Sequence, residues 1–314
     1  MFFFVTPREV DIAKDRILDA STMLPDHHGS CPRTSFLEAR LPGALFWDVD
    51  SIADTSSEEG RLLPHMAPSL QTLRLALCRL GVKSTDRVVI YDQSNGLYCA
   101  SFRLMWTLML YSFPGEIRVL RGGLQAWKEA SLELSSGEPS PPAAASPIEA
   151  LSFRPELICT IADVKATLQS NTTQIVDVRS RGRFRGDATE PRENVVSGHM
   201  PGSMNLPFTE ILEVLDDLPA LQNMLEAAGV DIRRRLCFSC GSGMTACIGF
   251  AAALLLGLES AVFDASWLGY VLQDVGPVIR HTKSFSDREL RMINSISNSM
   301  DGGLEPRHQR ENGV

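Results

Sequence analysis

The segment Ser239-Cys240-Gly241-Ser242-Gly243-Met244-Thr245-Ala246-Cys247 has the residue types and spacing best suited to covalent chemistry. It follows Arg235-Leu236-Cys237-Phe238-Ser239, which reads as a strand, and leads into an apolar run to Leu256 that reads as a helix. In α/β proteins with parallel sheets, ligands bind at such carboxyl ends of strands. Two glycines let the backbone curl until successive N–H groups point at one atom. The helix beginning near Thr245 adds the positive end of its dipole. A cysteine at the mouth of that nest has its thiolate stabilised and becomes a nucleophile at neutral pH. Cys240 is so placed.

Other chemistries fit less well. Cys237 and Cys240 form a C-x-x-C pair, the spacing of a redox dithiol or half a zinc site. Cys247 alone does not complete a zinc set, and Cys237 falls inside the apolar strand. Cys247, within the helix, reads as a small core residue. A cysteine phosphatase needs an arginine six residues after its cysteine to clamp phosphate, and that position is Ala246.

The elements that position this loop occur twice. Apolar strands ending in an acid, Arg16-Ile17-Leu18-Asp19 and Gln174-Ile175-Val176-Asp177, open the two halves. Pro-Gly turns at Pro42-Gly43 and Pro201-Gly202 lead into further strands. Helices over 70–81 and 215–229 follow, then strands Arg87-Val88-Val89-Ile90-Tyr91 and Arg235 to Ser239, then apolar helices over 98–110 and 245–256. Last strands carry Arg118-Val119-Leu120 and Ala261-Val262-Phe263. Strands alternating with helices predict an α/β fold with a mostly parallel sheet, here duplicated. The loop equivalent to the cysteine loop is Tyr91-Asp92-Gln93-Ser94-Asn95-Gly96. Asp92 cannot carry sulfur, so the first copy is expected to be catalytically silent.

Between Leu132 and Phe153 the periodic pattern stops, and four prolines mark a semi-extended linker. The organisation expected is a first domain over 1–134, a linker over 135–153, a catalytic domain over 154–290 and a tail over 291–314. The 314 residues contain 44% apolar and 22% charged residues, ordinary globular usage. Thirty Lys+Arg against 38 Asp+Glu leave a net charge of −8, which argues against a nucleic-acid or anionic-membrane binder. An anionic ligand must then be caught by a few local arginines. The apolar opening to Val5 is too short for a secretory segment, and the acids after it do not suit a mitochondrial presequence. Ala246 to Leu256 is too short to span a bilayer. Seven cysteines without a disulfide-like framework point to a reducing compartment.

The chain resembles the tandem-rhodanese sulfurtransferases, and the 3-mercaptopyruvate branch more than the thiosulfate branch. Cys240 to Cys247 differs by one conservative change from that family's usual C-G-S-G-V-T-A-C. Supporting stretches are Asp177-Val178-Arg179-Ser180 with Gly182-Arg183-Phe184, Glu190-Pro191-Arg192, Ser197 to Gly202, Phe263-Asp264-Ala265-Ser266-Trp267, Leu63-Pro64-His65-Met66 and Val89 to Asp92. A thiosulfate enzyme places basic residues directly after its cysteine to hold a dianion. Here those places are Gly241 and Ser242.

The resemblance implies two rhodanese-like domains, each a mostly parallel sheet flanked by helices. It implies a persulfide on Cys240, formed from 3-mercaptopyruvate with release of pyruvate, and no metal or organic cofactor. Arg183 and Arg192 would clamp the carboxylate and keto oxygen, with Gly241, Gly243, Met244 and Thr245 in the cradle. Ser242, His65 and Asp50 would form a relay polarising the substrate. A thiol such as thioredoxin would remove the sulfur in the cytoplasm or mitochondrion. The competing readings are a thiosulfate sulfurtransferase and a persulfide carrier handing sulfur to a partner in tRNA thiolation, docked by the tail Gly302 to Arg307. His199, in the Pro-Gly turn, reads as structural, and His27 and His28 as loop residues.

The first half departs from the family pattern. Thr22 stands in the place of a usual Trp and Arg40 in the place of a His, and Ser101 to Trp106 replaces a Pro-Arg-x-Trp-Trp stretch. The lead before Asp19 is short, so an element is expected to be missing there.

Overall fold

β-branched and aromatic runs bounded by turns become two sheets of identical connectivity. The computed structural model describes residues 2–23, 31–94, 96–170 and 172–280. His27, His28 and the tail segment Gly302 to Arg307 lie outside the described residues. The first sheet contains β1 (Phe2–Val5), β2 (Arg16–Asp19), β3 (Leu45–Phe46), β4 (Arg87–Tyr91) and β5 (Glu116–Leu120), in the order β1-β5-β4-β2-β3. The second contains β6 (Ile158–Cys159), β7 (Gln174–Asp177), β8 (Met204–Asn205), β9 (Leu236–Ser239) and β10 (Ser260–Phe263), in the order β6-β10-β9-β7-β8. Every strand pair is parallel. Each sheet thus runs first, fifth, fourth, second, third along its half. A shared permutation of five strands is hard to reach except by duplication.

The element missing before Asp19 is a helix and not a strand: the second half has the helix Ile161–Ser170 between its first two strands, and the first half has only the 3-10 turn Pro7–Glu9. Phe2–Val5 form β1, the edge strand, with Phe4 opposite Val119 of β5. A short apolar run has no period that distinguishes strand from helix, and this one has no turn signal ahead of it.

The helices of the first half are α1 (Pro32–Glu38), α2 (Glu58–Leu62), α3 (Leu70–Arg79), α4 (Cys99–Leu110) and α5 (Gly123–Glu129). Those of the second are α6 (Ile161–Ser170), α7 (Arg181–Arg185), α8 (Phe208–Val214), α9 (Leu218–Ala227), α10 (Ala246–Leu255) and α11 (Ser266–Leu272). All twelve residues of α4 are buried, including the polar Ser101, Arg103 and Thr107. Leu104, Met105 and Leu108 of α4 share one core with Cys247, Phe250 and Ala251 of α10, so one apolar core joins the halves. Among the described residues no helix is long and apolar enough to cross a membrane.

Residues 136–153 form no helix or strand and lie along the first half. Arg74 donates to the carbonyls of Ile148, Glu149 and Leu151, and Ala145 N–H donates to Cys78. The Arg40-for-His departure finds its reason here. Arg40 pairs with Ser135 through the backbone, donates to Gly137 O at 2.6 Å and stacks over Phe36. His199 occupies the matching place in the second half, pairing with Ile279, stacking on Phe184 and bonding Phe184 O at 2.8 Å. The same bridge is built with a cation on a ring in one copy and two stacked rings in the other.

Candidate active site

Cys240 follows the last residue of β9, and its loop runs to Thr245 ahead of α10. The residue is 1% exposed. The start of α11 clamps the loop: Trp267 N–H donates to Cys240 O and Leu268 N–H to Gly241 O, both at 3.0 Å. Cys240 N–H donates to Ser266 Oγ at 3.1 Å, and that hydroxyl lies 3.9 Å from Cys240 Sγ. Among the described residues, no protein group accepts from the amides of Gly241, Ser242, Gly243, Met244 or Thr245. A run of uncommitted amides beside a sulfur is an anion cradle. Met244 sends its side chain into the core, which leaves its amide for a ligand.

Ser266 has φ +51°, a left-handed backbone that costs a non-glycine residue about 1–3 kcal/mol. The first half places Gly123, φ +55°, at the matching point, where Leu124 N–H donates to Asp92 O as Trp267 does to Cys240. The strained serine replaces a glycine only where a hydroxyl meets the cysteine. Asp92, at the matching position to Cys240, fills its own cradle. Its carboxylate accepts from the amides and hydroxyls of both Ser94 and Ser101.

The two loop glycines are not equivalent. Gly243 has φ +82°, and a Cβ there would lie 2.5 Å from Asp264 O and 3.2 Å from Arg103 Nη1. A Cβ on Gly241 would meet Arg183 Nη2 at 2.9 Å, the end of a flexible side chain. Gly243→Ala is therefore expected to cost about 2 kcal/mol in thermal unfolding and at least ~10²-fold in sulfur transfer. Gly241→Ala should be the milder change in both assays, and equal losses would contradict this geometry.

Arg183 lies on α7 with its guanidinium against Gly241. It donates to both oxygens of Glu190, at 3.1 and 2.6 Å. Glu190 also accepts from Arg179 at 2.8 Å, and Arg179 pairs with Asp177 at 2.5 Å and covers the Trp267 ring at 4.4 Å. A buried chain of alternating charge thus runs from the end of β7 to the cysteine loop. In the first half Ser21 replaces the arginine, and it bonds Asp19 through its amide.

His65 Nδ1 lies 2.5 Å from Asp50 Oδ1. That bond holds the Asp50 carboxyl below the usual carboxylate range, against partial burial and with help from the charges of His65, Arg103 and Arg192. Asp50, His65 and Arg192 are among the residues lining a cavity of about 500 Å³, with Leu63, Leu268 and Leu272 among its apolar walls. Ser242 is buried, and among the described residues its hydroxyl bonds neither His65 nor any other group. The structure therefore joins His65 to Asp50 and brings Arg192 to the same cavity. It does not join Ser242 to them.

Two residues outside the expected set tie these parts together. Arg103 Nη1 lies 2.6 Å from Asp264 Oδ1 and donates to Gly243 O at 3.2 Å, while its Nη2 donates to His65 O. Asp264 Oδ2 accepts from Ala67 N–H at 2.8 Å. Both side chains are fully buried. Desolvation nearly cancels the attraction of such a pair, yet removing one partner typically costs about 3–5 kcal/mol. Its contribution is therefore geometric more than stabilising.

The other thiols near the loop are poorly suited to react. Pairing with Cys159 and burial push the Cys237 thiol well above its usual range. Burial pushes Cys247 up to about 12, against the pull of Arg103. Among the described residues no three His, Cys, Asp or Glu side chains converge as metal ligands would.

Residues 160–272 match the rhodanese-like domain family. Over 267 residues, 82% of this chain and 85% of the relative, the chain is 37% identical to 3-mercaptopyruvate sulfurtransferase from Homo sapiens. It is 31% identical over 264 residues to the Escherichia coli 3-mercaptopyruvate sulfurtransferase, covering 82% and 89% of the two chains. The crystal structure of SseA from Escherichia coli superposes with a TM-score of 0.72 at 28% identity, over 85% of this chain and 99% of that one.

The chain belongs to the 3-mercaptopyruvate sulfurtransferase family. Within that family's frame, Glu190, Ser266, Asp264 and Arg103 also shape the site, although their sequence surroundings assign them no role. Ser266 and Asp264 had a usable signal, since both follow the carboxyl end of β10, where ligands gather in parallel sheets. Glu190 and Arg103 act through partners seven and 140 residues away, which no local pattern reveals.

Proposed function

We propose that the chain is a sulfurtransferase that moves the sulfur of 3-mercaptopyruvate to a thiol through a persulfide on Cys240. The observation that carries this reading is the Arg183 guanidinium against Gly241, beside a cysteine followed by two uncharged residues. A planar cation at the loop with no basic residue directly after the cysteine suits a monoanionic keto acid, and a dianion such as thiosulfate would call for more positive charge there.

The Cys240 thiolate attacks the substrate sulfur, and the carbon–sulfur bond breaks with its electrons staying on carbon. Arg183, Arg192 and the loop amides stabilise the resulting enolate of pyruvate, which takes a proton on carbon. The persulfide rests in the amide cradle until an acceptor thiolate attacks its outer sulfur and regenerates the Cys240 thiolate. His65, held by Asp50, is the group placed to polarise the substrate carbonyl, and Ser242 would join it only once substrate bridges the two. Residues 1–134 form the silent domain, its cradle occupied by Asp92, and residues 154–290 the catalytic one.

The acceptor is a small thiol or a thioredoxin-like protein, and the compartment is the cytoplasm or the mitochondrion. An Arabidopsis thaliana relative, 31% identical, is named as mitochondrial. With a thiol acceptor, kcat/KM for mercaptopyruvate is expected to exceed that for thiosulfate at least ~10-fold, about 1.4 kcal/mol of transition-state discrimination. Pyruvate release and sulfite release measure the two, and the reverse preference would move the chain to the thiosulfate branch.

A further inference from the structure

We propose that Arg103, from the half whose loop carries Asp92 in place of a cysteine, is the positioning residue that sets His65 in register with the Cys240 loop. The inference rests on the reading of Cys240 as the sulfur carrier and goes beyond it by naming the residue that couples the first domain's His65 to the cysteine loop.

His65 has φ +63°, a left-handed backbone that a histidine keeps only where its surroundings hold it. One holder is Arg103, whose Nη2 donates to the His65 carbonyl. The other guanidinium nitrogen reaches Gly243 O at 3.2 Å and Asp264 Oδ1 at 2.6 Å. Asp264 closes the circuit by accepting from Ala67 N–H, two residues beyond His65. A single planar fork therefore spans the strained histidine and the left-handed glycine of the loop. Trp106, one turn along α4, lies under the guanidinium at 4.5 Å and restrains its orientation. Arg103 is 1% exposed and does not line the cavity. It acts through other residues and not on substrate. Lysine would keep the charge opposite Asp264 but has one nitrogen, which cannot span both carbonyls.

The test is a double-mutant cycle between Arg103→Lys and His65→Ala, with steady-state kinetics on mercaptopyruvate. In the native background Arg103→Lys should lower kcat at least ~30-fold with KM changed less than ~3-fold, because Arg183 and Arg192 are untouched. In the His65→Ala background the same substitution should cost less than ~3-fold. Equal losses in the two backgrounds, or a loss confined to KM, would overturn the proposal. If Arg103→Lys does not fold, Asp264→Asn, which removes the counter-ion and keeps the fork, is read by the same criteria. A His65→Ala variant as active as the native protein would overturn the role of Arg103 and leave that of Cys240 intact. Native protein that takes up no sulfur would overturn both.

Discussion

Cys240→Ser lowers pyruvate release from mercaptopyruvate by ~10⁴-fold or more, to the level of the uncatalysed reaction. A serine oxygen can form the same contacts with Ser266 but cannot accept sulfane sulfur, so the loss is chemical and not structural. The substitution is nearly isosteric at a site 1% exposed, and unfolding should move by ~1 kcal/mol at most. No neighbouring thiol is placed to substitute. Burial pushes Cys247 up to about 12, and burial pushes Cys99 well above its usual range. Turnover above a hundredth of the native rate would show that another cysteine carries the sulfur.

Arg183→Met is the second large effect. It removes the guanidinium seated against Gly241, and kcat/KM for mercaptopyruvate is expected to fall ~10²–10³-fold, or about 2.7–4 kcal/mol. The fold should survive, because Glu190 keeps its bond to Arg179 when Arg183 is lost. Arg181 is the control on the same short helix. Its partner is Glu210, its side chain is 49% exposed, and Arg181→Met should change turnover less than ~2-fold. If the two substitutions had equal effects, the arginine-rich loop would be acting as a diffuse field and not as a clamp.

The contrast between these residues shows what could be read from the chain itself. The cysteine loop was legible because its signals are local: a strand, two glycines and a helix start within ten residues. The duplication was legible because turn residues such as Pro42-Gly43 and Pro201-Gly202 recur in a fixed order. Strand β1 was not, since four apolar residues at a chain start carry no period. The strain at Ser266 could not be read either. A serine in a left-handed turn looks like any other serine until Gly123 is found in its place in the other copy. Arg103 was hidden more deeply. Its fork joins β10, the Cys240 loop and the His65 turn, and only the packing of α4 on α10 brings those three together.

The claim that sulfur passes through Cys240 is tested most directly by peptide mass spectrometry of the native protein after brief incubation with mercaptopyruvate and no acceptor. The account predicts the added mass of one sulfur atom on the peptide containing Cys240, and its loss when a thiol is added. Cys31, the exposed cysteine, is the internal control and should stay unmodified. Sulfur found on Cys31 or Cys247 with Cys240 unmodified, alongside undiminished pyruvate release, would contradict it.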